Sequence, residues 1–373
     1  MDNQTEPDPQ APLPASPQAT EPTSGDAAKP EQKKRGWFRR IARFLGYAIL
    51  IVAIFSSLAW STLALYYAGL SGGRSPRTLA ACGFALFCIV ALLFARPRKL
   101  GLIAFSLAFL GVLIWFFTIL PANNRDWSPD VAVLPYATFE GDFVTIHNIR
   151  NFDYRSETDF TPAYEDRTYD LRKLKSLDLV LSFWGSPLIA HTIACFGFDD
   201  GRYVGMSIET RKERTESYSA VQGFFRQYEL TYVIADERDV LRLRTNYRNE
   251  DVYLFRTNTP PERARAIFAD YLKGANKLRE HPEFYNALTT NCTTNMLPHL
   301  KAANPAARLR WELLLNGYSA RLAYDNGHLD SSMPYEQLFV RSHINDAAKA
   351  ADQDPNFSLR IRANLPAPKP RDR

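Results

Sequence analysis

Three stretches of the chain, 44–73, 78–95 and 100–124, hold no charged residue. A bilayer core takes about 20 apolar residues of helix. Each run meets or approaches that length, the middle one being the shortest, so the pattern predicts three transmembrane helices within 41–121. A buried soluble hairpin is the alternative, but three such runs in near succession favour a membrane. The first run is no cleavable signal peptide, because it lies far from Met1, is long, and is followed at once by two more.

Beyond residue 124 the pattern shortens. Alternation after the turn signal Glu140-Gly141-Asp142 predicts a strand over 143–149, and a near-continuous apolar run predicts another over 179–184. Strands at 191–198 and 203–209 flank Asp199-Asp200-Gly201-Arg202, a hairpin turn signal. Residues 230–235 and 240–243 are further strand candidates. Helical signals follow. Thr259 is placed as the cap of a helix opened by Pro260-Pro261 and running to about Glu280. Others are expected near Asn291, over 308–316 and near 342–352. Strands followed by helices indicate an α+β domain. The expected plan is a disordered, Pro-, Gln-, Ala- and Ser-rich cytoplasmic tail (1–40), three spans (41–121), a folded domain (125–335), and a C-terminal helix with a Pro-rich basic tail (336–373).

Net charge is +5, with a pI near 8.9, and a basic chain invites a nucleic-acid reading. The distribution removes it. Residues 1–124 carry 12 basic and 6 acidic residues, and the remainder 33 and 34. The excess belongs to the flanks of the spans, where it sets topology. Six basic residues from Lys33 to Arg43 precede the first span, and Arg96, Arg98 and Lys99 crowd the second loop, against Arg74 and Arg77 in the first. That places the N-terminus in the cytoplasm and the domain in the periplasm of a bacterial inner-membrane protein. Trp60, Tyr66, Tyr67, Trp115, Phe116 and Phe117 fall toward the outer ends, as interfacial aromatics do. Few residues separate Leu120 from Trp127, so the domain is expected on the membrane surface, within reach of phospholipid.

Three residues can carry chemistry: Cys292, His191 and Glu209. Cys292 sits in Thr289-Thr290-Asn291-Cys292-Thr293-Thr294-Asn295, a cluster of capping residue types, and is expected in the first turn of a helix. There the dipole favours a thiolate, and N–H groups around Asn291 and Thr293 could stabilise an oxyanion. If the hairpin is centred on Asp200, His191 lies opposite Glu209, and cross-strand partners share a face. A thiol, a base and a group orienting the base are the parts of nucleophilic catalysis. The plain alternative is a buried thiol beside an ordinary sheet salt bridge. Cys195, among Ala194, Phe196 and Phe198, reads as a packed strand residue. A Cys195–Cys292 disulfide, permitted outside the cytoplasm, would exclude catalysis by Cys292. No nucleotide, metal or serine-hydrolase motif occurs, and His147, His281, His299, His328 and His343 are scattered. No cofactor or metal is therefore expected.

Four segments are family-like: Arg150-Asn151-Phe152-Asp153-Tyr154-Arg155, SFWGSPLIAHTIACFGFDDGRYVGMSIETRKE (182–213), FFRQYELTYVIADERD (224–239) and EFYNALTTNCTTN (283–295). In this order they resemble the Lnb N-terminal periplasmic domain family, over about 127–330. The resemblance implies a circularly permuted papain-like fold in which the histidine strand precedes the cysteine segment, as His191, Glu209 and Cys292 do. It implies Cys292 as nucleophile and His191 as base, with Trp184, Ser186 and Asn291 lining the site. Glu209 as third residue comes from the hairpin register. The family takes its name from a bacterial lipoprotein N-acyltransferase. Fold class does not fix the reaction. A thiol acyltransferase drawing on inner-membrane phospholipid and acylating a lipoprotein is one reading. A cell-wall amidase or peptidase, or a lipid thioesterase, using the same residues is a second. A non-catalytic envelope binding module is a third.

Overall fold

A computed structural model describes residues 30–68, 74–308 and 310–366. The chain divides into two compact units, 1–59 and 60–373. The first contains most of helix α1 (Pro30–Tyr67). That helix begins inside the segment 1–40 expected to lack structure, and residues 1–29 lie outside the described residues.

Among the described residues, three helices are long and apolar enough to cross a membrane: Trp37–Tyr67, Ser75–Phe94 and Arg98–Thr118, of 31, 20 and 21 residues. The last two belong to α2 (Arg74–Phe94) and α3 (Arg98–Thr118). Small residues let such helices approach closely. Gly101 of α3 lies against the Ala91 carbonyl of α2. Ala64 and Ala68 are buried with Val112 and Phe116, and Trp60 packs edge-on against Phe116 at 5.0 Å.

After α3 the chain builds an antiparallel-dominated sheet. Its strands are β1 (Tyr136–Glu140), β2 (Phe143–Arg150), the separate short pair β3 (Asp153–Tyr154) and β4 (Phe160–Thr161), β5 (Tyr164–Asp170), β6 (Leu174–Phe183), β7 (His191–Phe198), β8 (Tyr203–Arg211), β9 (Glu229–Ala235) and β10 (Asp251–Arg256). The main sheet runs β1-β2-β9-β8-β7-β6-β10, with β5 also on β2. The β7–β8 register pairs Ile193 with Ser207 and Gly197 with Tyr203, centred on Asp200 as the turn chemistry predicts.

Alternation sends the two strand faces into different cores. Ala194, Phe196, Met206 and Ile208 pack under α5 (Pro261–Glu280), against Phe268, Tyr271 and Leu272. Ile193 and Cys195 face the opposite core, with Val240 and Leu241 of α4 (Glu237–Arg242). Thus 240–243, expected as a strand, is the end of a helix and the turn after it. Asp236 caps that helix by accepting from the Arg238 N–H, and Val240, Leu241 and Leu243 fall on its buried side. Thr259 does not cap α5. Pro260 holds the cap position, while Thr259 Oγ1 accepts from Thr257 Oγ1.

The expected helix over 308–316 contracts to α7 (Trp311–Leu314), preceded by α6 (Met296–Ala303) and followed by a short turn, Asn316–Tyr318, and α8 (Ser319–Asp325). The domain also extends past the expected boundary at 335. Ile344, Ala348, Phe357 and Ile361 are core residues. The Arg362 guanidinium is buried between Asp178 and Glu237, at 2.8 and 2.7 Å. Residues 367–373 of the expected basic tail lie outside the described residues.

Candidate active site

Residues 193–197 pair with β8, and His191 opens β7 just before that register, paired with Ser182 of β6. Its Nε2 lies 2.6 Å from Ser207 Oγ and 3.5 Å from Glu209 Oε1. Ser207 Oγ donates to Glu209 Oε1 at 2.8 Å, so the serine accepts from His191 Nε2–H. Nδ1 is then the ring nitrogen available to the thiol. Period-two alternation puts His191, Ser207 and Glu209 on one face.

Cys292 does not lie in the first turn of a helix. α6 starts at Met296. Cys292 belongs to a separate turn closed by Asn295 N–H to Asn291 O at 3.1 Å. Asn291 caps this turn itself: its Oδ1 accepts from the N–H groups of Thr293 and Thr294 at 3.0 and 2.9 Å, and its Nδ2 donates to Ala287 O. The run of capping residues thus spends its polarity on its own backbone. The macrodipole of α6 is correspondingly removed from the sulfur.

Charge, in its place, comes from His191. Burial would push the Cys292 thiol up. The hydrogen bond and charge of His191, helped by the Thr192 backbone N–H, outweigh burial and hold the thiol below its ordinary value. Burial and the Arg244 charge push His191 down, yet hydrogen bonds to Cys292 and Glu209 carry it above its usual value. Burial would raise Glu209, but His191 and Arg244 hold its carboxyl well below the carboxylate range. The pair is therefore biased toward thiolate and imidazolium.

Three residues complete the arrangement without having been identified from the sequence: Ser207, which stands between His191 and the Glu209 expected to face it directly, Arg244 and Asn316. Arg244 is buried and donates to Glu209 Oε1 at 3.1 Å and Glu250 Oε2 at 2.9 Å. It is positioned by a widened turn after α4, in which the Arg248 N–H reaches back to Leu243 O. Asn316 joins the two halves of the site. Its Nδ2 lies 2.6 Å from Thr293 Oγ1 and 3.7 Å from Cys292 Sγ, and its carboxamide pairs with both the N–H and the C=O of Ala190, beside His191. Thr293 is buried and also meets Thr192 Oγ1 at 3.3 Å.

Trp184 is exposed, and Ser186 Oγ accepts from the Leu188 N–H within its own loop. Cys195 and Cys292 are both free thiols. Cys195 lies on β7 behind Ile193, and burial raises its thiol. His299 is tied between Tyr232 and Asp270 under the sheet. A cavity of about 240 Å³ beside Arg167, Arg202 and Asp236 contains none of the site residues.

No curated protein and no solved structure matches the chain. A family model does. Its match covers β4 through most of α8 and includes His191, Glu209, Cys292, Arg244 and Asn316. Residues 160–323 match the model of the Lnb N-terminal periplasmic domain, on a chain with three apolar helices ahead of them.

Proposed function

We propose that this protein is a membrane-anchored periplasmic thiol acyltransferase. The observation that carries the reading is the hydrogen-bonded chain His191–Ser207–Glu209–Arg244, which fixes a base from behind, while the charge of that base holds the Cys292 thiol below its ordinary value. The donor is a phospholipid of the membrane that the three helices occupy. Cys292 Sγ attacks an acyl ester carbonyl, and the C–O bond to the glycerol breaks. The His191 imidazolium gives its proton to the departing alkoxide, leaving a lysophospholipid and a Cys292 thioester. An amine, such as a lipoprotein N-terminus, then attacks the thioester. His191 takes the amine proton, the amide forms and the thiolate returns.

The N–H groups of Thr293 and Thr294 are committed to Asn291, and the two Nδ2 hydrogens of Asn316 to Ala190 O and Thr293 Oγ1, so Asn316 positions the cysteine turn and is not a free oxyanion donor. Glu209 and Arg244 hold the imidazole and balance each other's charge.

The test uses the full chain in nanodiscs containing phospholipid with a labelled acyl chain. A hydroxylamine-sensitive adduct on Cys292 is expected, chased by an amine-bearing lipopeptide. Cys292→Ser should leave a slower-cleaving oxyester. Release of fatty acid to water with no amide product would favour the hydrolase reading, and absence of any acyl-enzyme would contradict both.

A further inference from the structure

The sheet has two ends. One carries the hairpin turns Gly141-Asp142 and Asp200-Gly201, tied together through Leu171 and Lys173. The other carries His191 and the last residue of β8, Arg211. Arg211 donates from Nη1 to Asn123 Oδ1 at 2.9 Å, and Asn123 lies just past the end of α3. Arg226 reinforces this join. It takes a left-handed backbone (φ 53°), donates to Phe116 O and Ile119 O at 3.0 and 2.9 Å, and lies over the rings of Phe116, Phe117 and Phe284. The catalytic end of the sheet is therefore the end that meets the apolar helix.

Two lips of exposed apolar side chains stand there. The first runs from the helix to the thiol by direct contacts. Phe225 packs on Ala64, Val112 and Phe116, and its neighbours Val221 and Phe224 are exposed. Gly223 O accepts from Ala287 N–H, Leu288 beside it is 58% exposed, and Ala287 O accepts from Asn291, the residue before Cys292. The second lip is fastened to the thiol by Asn316. Gly317 N–H donates to Leu188 O at 3.0 Å, and Trp311 packs on Tyr318 with centroids 5.5 Å apart. Leu188, Ile189, Trp311, Leu314 and Leu315 are all exposed. A water-soluble surface rarely gathers so many large apolar side chains around one site. Tryptophan and tyrosine with leucine is the composition that settles at a bilayer interface.

We infer that both lips rest in the bilayer, so that the Cys292 cleft opens onto the acyl region of the leaflet and not onto water. The occupant of this surface is membrane lipid, because the surface is continuous with the outer end of α3. This deepens the acyl-transfer reading by stating how an acyl chain reaches the thiol, and its test is separable from that reading.

The photocrosslinker p-benzoylphenylalanine is placed singly at Leu188, Leu288 or Leu315 in the full chain, and at Phe143 as an exposed control at the opposite end of the sheet. The protein is held in nanodiscs of labelled phosphatidylethanolamine and phosphatidylglycerol and irradiated. Roughly tenfold more labelled phospholipid on the three lip positions than on Phe143 is expected. The same adducts should persist in a Cys292→Ala background, which separates bilayer contact from acyl transfer. Lipid labelling at all three lip positions no higher than at Phe143 would overturn the inference. The three positions are exposed and lie on two lips, so failure of one variant to fold leaves the comparison intact.

Discussion

Asn316 and Thr293 meet at 2.6 Å, carboxamide Nδ2 to hydroxyl Oγ1, and this contact fastens the cysteine turn to the histidine strand. The same carboxamide holds both backbone groups of Ala190. Thiol and imidazole come from segments about a hundred residues apart, and this side chain spans them. Asn316→Ala should lower acyl transfer by about 100-fold, the scale of loss when reacting groups are misplaced by an ångström. Asn316→Gln, which keeps the carboxamide on a longer stem, should recover little. Single-turnover acylation rates check both.

Glu209 and Arg244 act on His191 with opposite signs. Glu209 raises the imidazole and Arg244 lowers it. In the proposed acyl transfer the imidazolium protonates the leaving alkoxide, so its loss would set the alkaline limb of the rate profile. Glu209→Gln should move that limb to lower pH. Arg244→Met should move it to higher pH, while destabilising the fold by about 3–5 kcal/mol because Glu209 and Glu250 lose their buried partner. A pH profile of acylation, paired with thermal melts, separates the effects.

Gly317 has no room for a methyl group. A Cβ there would meet the Pro187 carbonyl and come within 2.9 Å of the Leu188 carbonyl carbon. Both are backbone atoms, so the 184–190 loop must move. Gly317→Ala should cut acylation by at least about tenfold through loss of the Asn316–Ala190 alignment, with the far-ultraviolet circular dichroism unchanged.

Glu229 reports on the join between α3 and the sheet. Its Oε1 accepts from the Ala122 N–H and pairs with Arg125 at 3.0 Å, while Oε2 is buried without a hydrogen-bond partner among the described residues. Burial pushes the carboxyl up to about 7 despite Arg125. A folded pKa above the unfolded one means the native state binds the proton more tightly. That stabilisation is complete below the ordinary glutamate range and is lost as pH rises through about 7. The melting temperature in detergent should fall between about pH 4.5 and 7, and Glu229→Gln should flatten the fall.

Much of this architecture could be read from the residues. The charge-free runs give the three helices, and Asp200-Gly201 sets the hairpin register that brings His191 and Glu209 to one face, though not the Ser207 hydroxyl that stands between them. The misreadings share a cause. Val240–Leu243 is apolar and short, and such a run suits a strand or a buried helix end until Asp236 is seen capping. The polar cluster at Cys292 announces a cap, but Asn291 caps a turn of its own, ahead of α6. Arg244 and Asn316 left no signal, because each acts through tertiary contacts across tens of residues and has no local pattern around it.

The proposed chemistry needs His191 to hold Cys292 as a thiolate. Its most direct test is the rate of iodoacetamide alkylation of Cys292 against pH in the full chain, followed by peptide mass spectrometry so that Cys82, Cys88 and Cys195 are counted separately. Alkylation should rise with a midpoint below that of a free thiol, about 8.5, and His191→Ala should move the midpoint up. A wild-type midpoint at or above the free-thiol value, or one unmoved by His191→Ala, would show that His191 does not hold Cys292 ionised.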